Sequence, residues 1–256
     1  MESWVAAAEA AADVAGAVAR EFFRTGVAAD LKSDSSPVTI ADRTAERAMR
    51  ALLTARLPEH GIIGEEFGVL RPDARYRWVL DPIDGTRAFI TGRATFGTLI
   101  GLMDGDTPIL GIIDQPITQE RWIGVAGQKT TFRGPLGGKP GCRPCPALAH
   151  AELSCTSPDM LDAETMPRWK RLAADVRRNS WGGDCYAHGL VALGHIDIVA
   201  EADMKLWDWV PLVPVIEGAG GRVTDWTGRP LREGGDGRVL SVGDPTLLPE
   251  SVARLA

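Results

Sequence analysis

The segment Trp78-Val-Leu-Asp81-Pro-Ile-Asp84-Gly-Thr86 constrains the fold of this chain more tightly than any other stretch. Arg77-Trp-Val-Leu80 is a short apolar run of strand type, and it delivers Asp81 at its C-terminal end. Pro82 has no amide hydrogen and is expected to stop sheet pairing there. Two residues later Asp84 comes back beside Asp81. Carboxylates held that close repel one another unless a cation lies between them. Gly85 and Thr86 then stand where a helix could begin, with free N–H groups suited to a phosphate. One short stretch thus predicts a strand end, a turn and a helix start converging on a charged site.

Two other places add acids of the same character. Gly64-Glu65-Glu66 ends an apolar segment, and Leu206-Trp207-Asp208-Trp209 puts a carboxylate in apolar surroundings at a helix start. Glu65, Asp81, Asp84 and Asp208 make an oxygen-rich set without His or Cys, which suits Mg²⁺ or Mn²⁺ rather than zinc. Two such ions bridged by one aspartate would clamp a phosphate and convert a bound water to hydroxide for in-line attack. Taken singly, each acid has a plainer reading. Glu66 reads as a solvated surface charge, Asp208 as a helix N-cap, and Asp-Gly-Thr alone is a common tripeptide. The extended run with Gly-Glu-Glu before it and Trp-Asp after it favours the metal site.

Around these motifs, helix and strand signals alternate. A helix is expected from about Ser3 to Phe23, then the polar stretch Lys32 to Pro37, then a second helix from about Thr39 to Leu57. Ile40, Ala41, Ala45, Ala48, Met49, Leu52 and Leu53 recur in that second helix at the spacing of a buried stripe. His60-Gly-Ile-Ile-Gly reads as a strand, and Thr95 to Met103 and Pro108 to Asp114 as two strands joined by the turn at 104–107. Gln128 to Pro146 is dense in Gly and Pro and reads as a loop, or as a seam between an N-terminal lobe of about 1–130 and a C-terminal lobe of about 147–256. Beyond it, helices are expected at Ala187–Leu193 and Trp209–Ala219, with a strand at Ile196–Ala200. Such mixing predicts stacked layers of helix and sheet in one unit.

The 256 residues are enough to bury a core without staples, and the 45% hydrophobic and 24% charged fractions are those of a globular protein. A net charge of -6 argues against a nucleic-acid partner. An acidic protein that binds phosphate needs bound cations to do so. The alanine-rich N-terminus carries Glu2, Glu9 and Asp13 and no basic leader, so it reads as an amphipathic helix of the fold. No apolar run is long enough to span a bilayer, and a cytoplasmic location is expected. Cys142-Arg-Pro-Cys145 has a zinc-knuckle spacing, but no second pair completes it unless His150 and Cys155 join. The plainer reading is reduced thiols in a surface loop.

Together, Gly64-Glu65-Glu66, Asp81-Pro-Ile-Asp84-Gly-Thr86, Trp207-Asp208 and Ala219-Gly-Gly221 resemble the signatures of the inositol monophosphatase superfamily, and Ser36-Pro37-Val38-Thr39 with Asp42 resembles its N-terminal motif. The resemblance covers nearly the whole chain. It implies an α-β-α-β-α layered sandwich, usually a homodimer, hydrolysing a small phosphate monoester with two to three Mg²⁺. On matching positions, Glu65, Asp81 and the Ile83 carbonyl would hold one ion, and Asp81, Asp84 and Asp208 a second. A weaker third would rest on Glu65 through water. Asp42 would polarise the Thr86 hydroxyl, which with Glu65 would orient the attacking water. Gly85 and Thr86 N–H groups would hold the phosphate.

Inositol-phosphate enzymes usually continue the central motif as Gly-Thr-Thr-Asn-Phe; here it is Gly85-Thr86-Arg87-Ala88-Phe89. That run, Asp114-Gln-Pro-Ile117 with Trp122, and Gly182-Gly-Asp184-Cys-Tyr186 look like the histidinol-phosphate phosphatase branch. The resemblance implies that Gly182, Gly183, Asp184 and Glu201 line the alcohol side. Two acids there would suit a substrate with an ammonium and an imidazole, against the plainer reading of a loop acid and a strand-end acid. Arg87 either neutralises a metal-site carboxylate or forms a surface pair. His60, His150, His188 and His195 share no ligand spacing and read as surface or packing residues, although His188 sits close to the proposed pocket. The alternatives are an inositol-1-phosphate or broad-specificity phosphatase, or a binding protein that has lost catalysis; a Mg²⁺-dependent phosphate-release assay separates those classes.

Overall fold

The computed structural model describes residues 1–26, 28–31 and 37–256, so residues 32–36 of the polar stretch and N-terminal motif lie outside the described residues. In chain order the elements are α1 (Glu2–Phe22), β1 (Ala29–Leu31), β2 (Pro37–Thr39), α2 (Ile40–Arg56), β3 (Gly61–Gly64), β4 (Gly68–Leu70), β5 (Tyr76–Asp84), α3 (Thr86–Ile90), β6 (Gly97–Asp104), β7 (Thr107–Gln115), β8 (Glu120–Val125) and β9 (Thr131–Arg133). There follow β10 (Glu152–Cys155), α4 (Thr165–Asp175), β11 (Arg178–Trp181), α5 (Asp184–Ala192), β12 (Ile198–Glu201), α6 (Leu206–Trp209), α7 (Leu212–Gly218), β13 (Arg222–Thr224), β14 (Val239–Val242) and α8 (Leu248–Leu255).

Apart from the short β1-β2 pair, the strands form two sheets, ordered β4-β3-β5-β6-β7-β8-β9 and β11-β10-β12-β14-β13. Strand periodicity sorts their side chains into three layers of core. Trp78, Leu80, Ile100, Leu102, Leu110 and Ile112 point to α1 and α2 and meet Ala8, Ala11, Met49 and Leu53. Their neighbours Val79, Leu99, Met103 and Ile113 point the other way, into a central core with α5, α6, α7 and Val199 and Val239 of the second sheet. Ile198, Ala200, Leu240 and Val242 face Trp169 and Leu172 of α4 and Leu255 of α8. The order is helix, sheet, helix, sheet, helix, the expected α-β-α-β-α sandwich.

The middle helical layer lies unusually close to the first sheet. Gly101, Gly111 and Gly124 are cross-strand neighbours on β6, β7 and β8. A Cβ on Gly101 would crowd Val210, one on Gly111 would meet the Pro211 backbone, and one on Gly124 the Pro214 backbone. The chain between α6 and α7 therefore rests directly on a strip of bare backbone.

Three local expectations need correcting. Pro82 does not end its strand: β5 pairs with β6 at Asp81–Leu99 and again at Asp84–Gly97, with a register shift between. The Thr98 hydroxyl donates to the Pro82 carbonyl at 2.8 Å, so the proline occupies a bulge that needs no amide donor. The single helix expected at 209–219 is two, because Pro211 cannot donate to the Trp207 carbonyl. Finally, the stretch at 128–146 is not all loop, since β9 pairs with β8. Among the described residues, no helix is long and apolar enough to cross a membrane.

Candidate active site

The bulge at Pro82 turns the end of β5 so that Asp81 and Asp84 address one spot. Asp208 reaches the same spot from α6, where its carboxylate also accepts the Lys205 N–H at 2.7 Å. Its helix-capping role and its place in the cluster are thus compatible. Carboxylate oxygens of Asp81, Asp84 and Asp208 all lie within 4.8 Å of one another. Glu65, just past the end of β3, keeps the sheet register by donating its N–H to the Leu80 carbonyl at 3.2 Å and lies close enough to Asp81 to raise its pKa.

Burial and mutual repulsion hold these acids far from ordinary behaviour. Asp81 is pushed well above the usual carboxylate range by burial first, then by Glu65, Asp84 and Asp208. Burial and then Asp84 do the same to Asp208. Asp84 is raised to about 7 by burial and by Asp184, although the Cys185 N–H donates to it at 2.7 Å and opposes the shift. Such a set carries its full charge only in the company of cations, and its all-oxygen chemistry matches a hard divalent ion. Among the described residues, this metal-competent cluster contains no Cys or His. All four cysteines are free thiols, and burial pushes Cys142 up to about 11.

Asp42 lies one layer back. Its Oδ2 accepts the Thr39 N–H at 2.8 Å in a capping box that starts α2, while Oδ1 faces the Thr86 hydroxyl at 3.2 Å. That hydroxyl is also 3.2 Å from the Ile83 carbonyl. Having one hydrogen, it donates to one of the two and accepts elsewhere. Gly85 makes the turn between Asp84 and α3 with φ 83, which favours glycine, and a Cβ there would strike the Asp184 carboxylate.

Beside these groups is a cavity of about 270 Å³ whose walls include Glu65, Asp84, Gly85, Thr86 and Asp208 together with Asp184, His188 and Glu201. Asp184 starts α5 with φ 45, and its carboxylate accepts the Thr95 hydroxyl at 2.6 Å. Burial, and secondarily Glu201, raises its pKa. Glu201, at the end of β12, is 3% exposed. Burial alone would raise its pKa, but bonds from His188 and the Thr156 N–H bring it below the usual value. Gly182 and Gly183 lie outside this wall and lead the chain into α5. Arg87 pairs with Asp159 at 3.1 Å, both exposed at the mouth, which resolves it as a surface pair.

His188, which the sequence places close to the proposed pocket but which reads there as a packing residue, lines the cavity. It is 1% exposed, with Nε2 3.2 Å from Glu201 and Nδ1 3.0 Å from the Ser241 hydroxyl. Its position four residues after Asp184, on the same helix face, was the available signal.

The inositol monophosphatase family model matches residues 1–253. The chain is 47% identical over 231 residues to a protein of Arabidopsis thaliana described as bifunctional phosphatase IMPL2, chloroplastic; the match takes in 90% of this chain and 66% of that one, just under two thirds of its length. It is 33% identical to a histidinol-phosphatase of Chlorobaculum parvum, over 89% of this chain and 88% of that protein. A solved inositol monophosphatase from Zymomonas mobilis superposes with a TM-score of 0.90 at 49% identity, covering 99% of this chain and 98% of that one.

Proposed function

This chain belongs to the inositol monophosphatase family, and we propose that it is a Mg²⁺-dependent phosphatase whose substrate is histidinol phosphate. Glu65, Asp81, Asp84, Asp208 and the Ile83 carbonyl would hold the Mg²⁺, with Mn²⁺ as a substitute. The bound ions would supply Lewis-acid stabilisation of the phosphoryl group and ready ionisation of water at neutral pH. Asp42 accepts from the Thr86 hydroxyl, leaving the hydroxyl oxygen free to take a hydrogen bond from the attacking water, which Glu65 orients from the other side. The Gly85 and Thr86 N–H groups hold the phosphate.

One observation carries the choice of ester: two further buried acids, Asp184 and Glu201, line the same cavity as the metal-type acids. An alcohol with a cationic end would meet these two carboxylates while its phosphate lies against the ions, each charge-assisted bond contributing roughly 1.5–3 kcal/mol. The reading extends to a division of labour by lobe, residues 1–130 supplying most metal acids and 147–256 the alcohol side, and to a cytoplasmic homodimer. A panel of histidinol phosphate, inositol 1-phosphate, fructose bisphosphate and glycerol 2-phosphate, assayed for phosphate release with and without Mg²⁺, tests it. Highest kcat/KM on histidinol phosphate is expected; preference for inositol 1-phosphate would overturn the ester and leave the phosphatase. That second reading is favoured by the 49% identity to the Zymomonas mobilis protein.

A further inference from the structure

Helix α2 buries a second carboxylate, Glu46, one turn beyond Asp42. Glu46 is 0% exposed. A charge so placed is costly unless several donors converge on it, and three do. Arg50 donates through Nε to Oε1 at 2.6 Å, the Glu66 N–H donates to Oε2 at 2.7 Å, and the Phe67 N–H donates to Oε1 at 3.2 Å. Arg50 also donates to the Gly68 carbonyl. All the backbone contacts fall on the three residues after Glu65, in the turn between β3 and β4. The approach is close enough that a Cβ on Gly64 would overlap the Glu46 carboxylate.

Arg47 of the same helix also lies over the Phe67 ring, 5.2 Å from its centroid. The three residues of β4 that follow are exposed and, among the described residues, pair with β3 at the edge of the sheet. Yet Glu65 must keep one place beside Asp81. We propose that Glu46 is a positioning residue, fixing the Glu65 carboxylate against Asp81 by anchoring the Glu66 and Phe67 amides to α2. Because Asp42 and Glu46 are four residues apart on one helix face, the same rigid element carries the Asp42–Thr86 contact and the Glu65 turn. The two sides of the water-orienting pair are thereby kept in register. The inference rests on the reading of Glu65 as a metal- and water-orienting acid.

The test is Glu46→Gln, which keeps the shape and removes the charge. Hydrogen–deuterium exchange of the metal-free protein should show faster exchange confined to residues 65–70. Mn²⁺ binding, followed by electron paramagnetic resonance, and the Mg²⁺ half-saturation of phosphate release should both weaken by about tenfold, the usual size of an outer-shell loss at a metal site. KM for the ester at saturating Mg²⁺ should move by less than about threefold. A role confined to general stability would instead lower Tm and leave exchange at 65–70 and ion affinity in proportion to the rest of the chain. Unchanged local exchange, or Mn²⁺ affinity within about twofold of wild type, would overturn the proposal. Should Glu46→Gln not fold, Arg50→Lys carries the same test. It keeps the positive charge but removes the fork that ties Glu46 to Gly68, so smaller shifts of the same sign are expected. A wild-type protein indifferent to Mg²⁺ would remove the functional reading, and the exchange arm would still decide whether Glu46 anchors the turn.

Discussion

The backbone N–H of Cys185 donates to the Asp84 carboxylate at 2.7 Å. Helix α5 begins one residue earlier with Asp184, so the start of α5 is tethered to Asp84 by this hydrogen bond. The placement of Asp184 relative to Asp84 is therefore tied to the backbone at the start of α5.

Asp84→Asn should lower Mg²⁺-dependent phosphate release by roughly 100-fold or more, the loss of one ligand charge exceeding an outer-shell change. The amide oxygen can still accept from Cys185, so the fold should persist. In EDTA-treated protein Tm should hold or rise, since one of three mutually repelling carboxylates becomes neutral. The gain in Tm that wild type shows on adding Mg²⁺ should shrink. Near-normal turnover at saturating Mg²⁺ would sink the assignment of Asp84 as a ligand.

Asp184→Asn is well matched to its site, because Asn tolerates φ 45 and can accept the Thr95 hydroxyl. It should reduce kcat/KM for histidinol phosphate by about tenfold to a hundredfold, with little change on glycerol 2-phosphate. Equal losses on both esters would make Asp184 structural.

His188→Phe deprives Glu201 of its buried partner and leaves the Thr156 N–H as its remaining hydrogen bond. An under-satisfied buried carboxylate costs about 1–3 kcal/mol, which lowers Tm by several degrees in a chain of this size. Calorimetry of His188→Phe in wild-type and Glu201→Gln backgrounds checks the pairing: the cost should be smaller in the second. Purely additive losses would show that the two do not couple.

Stability should also depend on pH through a residue remote from the cavity. His60 is 4% exposed among Trp4, Tyr76 and Trp78. Burial lowers its pKa, with Glu59 partly opposing. The unfolded imidazole takes up its proton near about pH 6.5, the folded one only at lower pH. Below that value the unfolded state binds more protons, so stability declines as pH falls toward the lowered folded value. His60→Phe keeps the aromatic packing and should flatten the Tm profile between about pH 7.5 and pH 5. An unchanged slope would assign the acid sensitivity elsewhere.

What the sequence made legible was local in the chain or fixed by type. Asp81 and Asp84 announced themselves because a strand, a proline and two acids within four positions leave few arrangements. The stripe from Ile40 to Leu53 foretold α2, although Ile40 itself is 52% exposed and only one edge of the stripe is buried. Glu46 stayed hidden because, besides the i,i+4 pair with Arg50, its partners are the Glu66 and Phe67 backbone amides, which no residue letter encodes. His188 could be placed near the pocket, but its role stayed hidden because it depends on Glu201 and Ser241, brought close by sheet topology. Strands of three or four residues such as β9, β10 and β13 carry too few alternations to show a period. The Pro82 bulge was misread because proline usually ends pairing, and only the irregular neighbour strand shows that it need not.

The bare strip at Gly101, Gly111 and Gly124 has a bearing on the acids that none of those glycines touches. Asp208 rides on the segment that rests there, while Asp81 and Asp84 belong to the sheet beneath. The gap between the two sets is thus a layer thickness, gauged by three absent side chains. A single methyl on that strip would act as a shim, lifting Asp208 off the other two without altering any of the acids. Tolerance at the site is accordingly set in the floor of the sandwich, where close packing decides how nearly the three carboxylates approach one another.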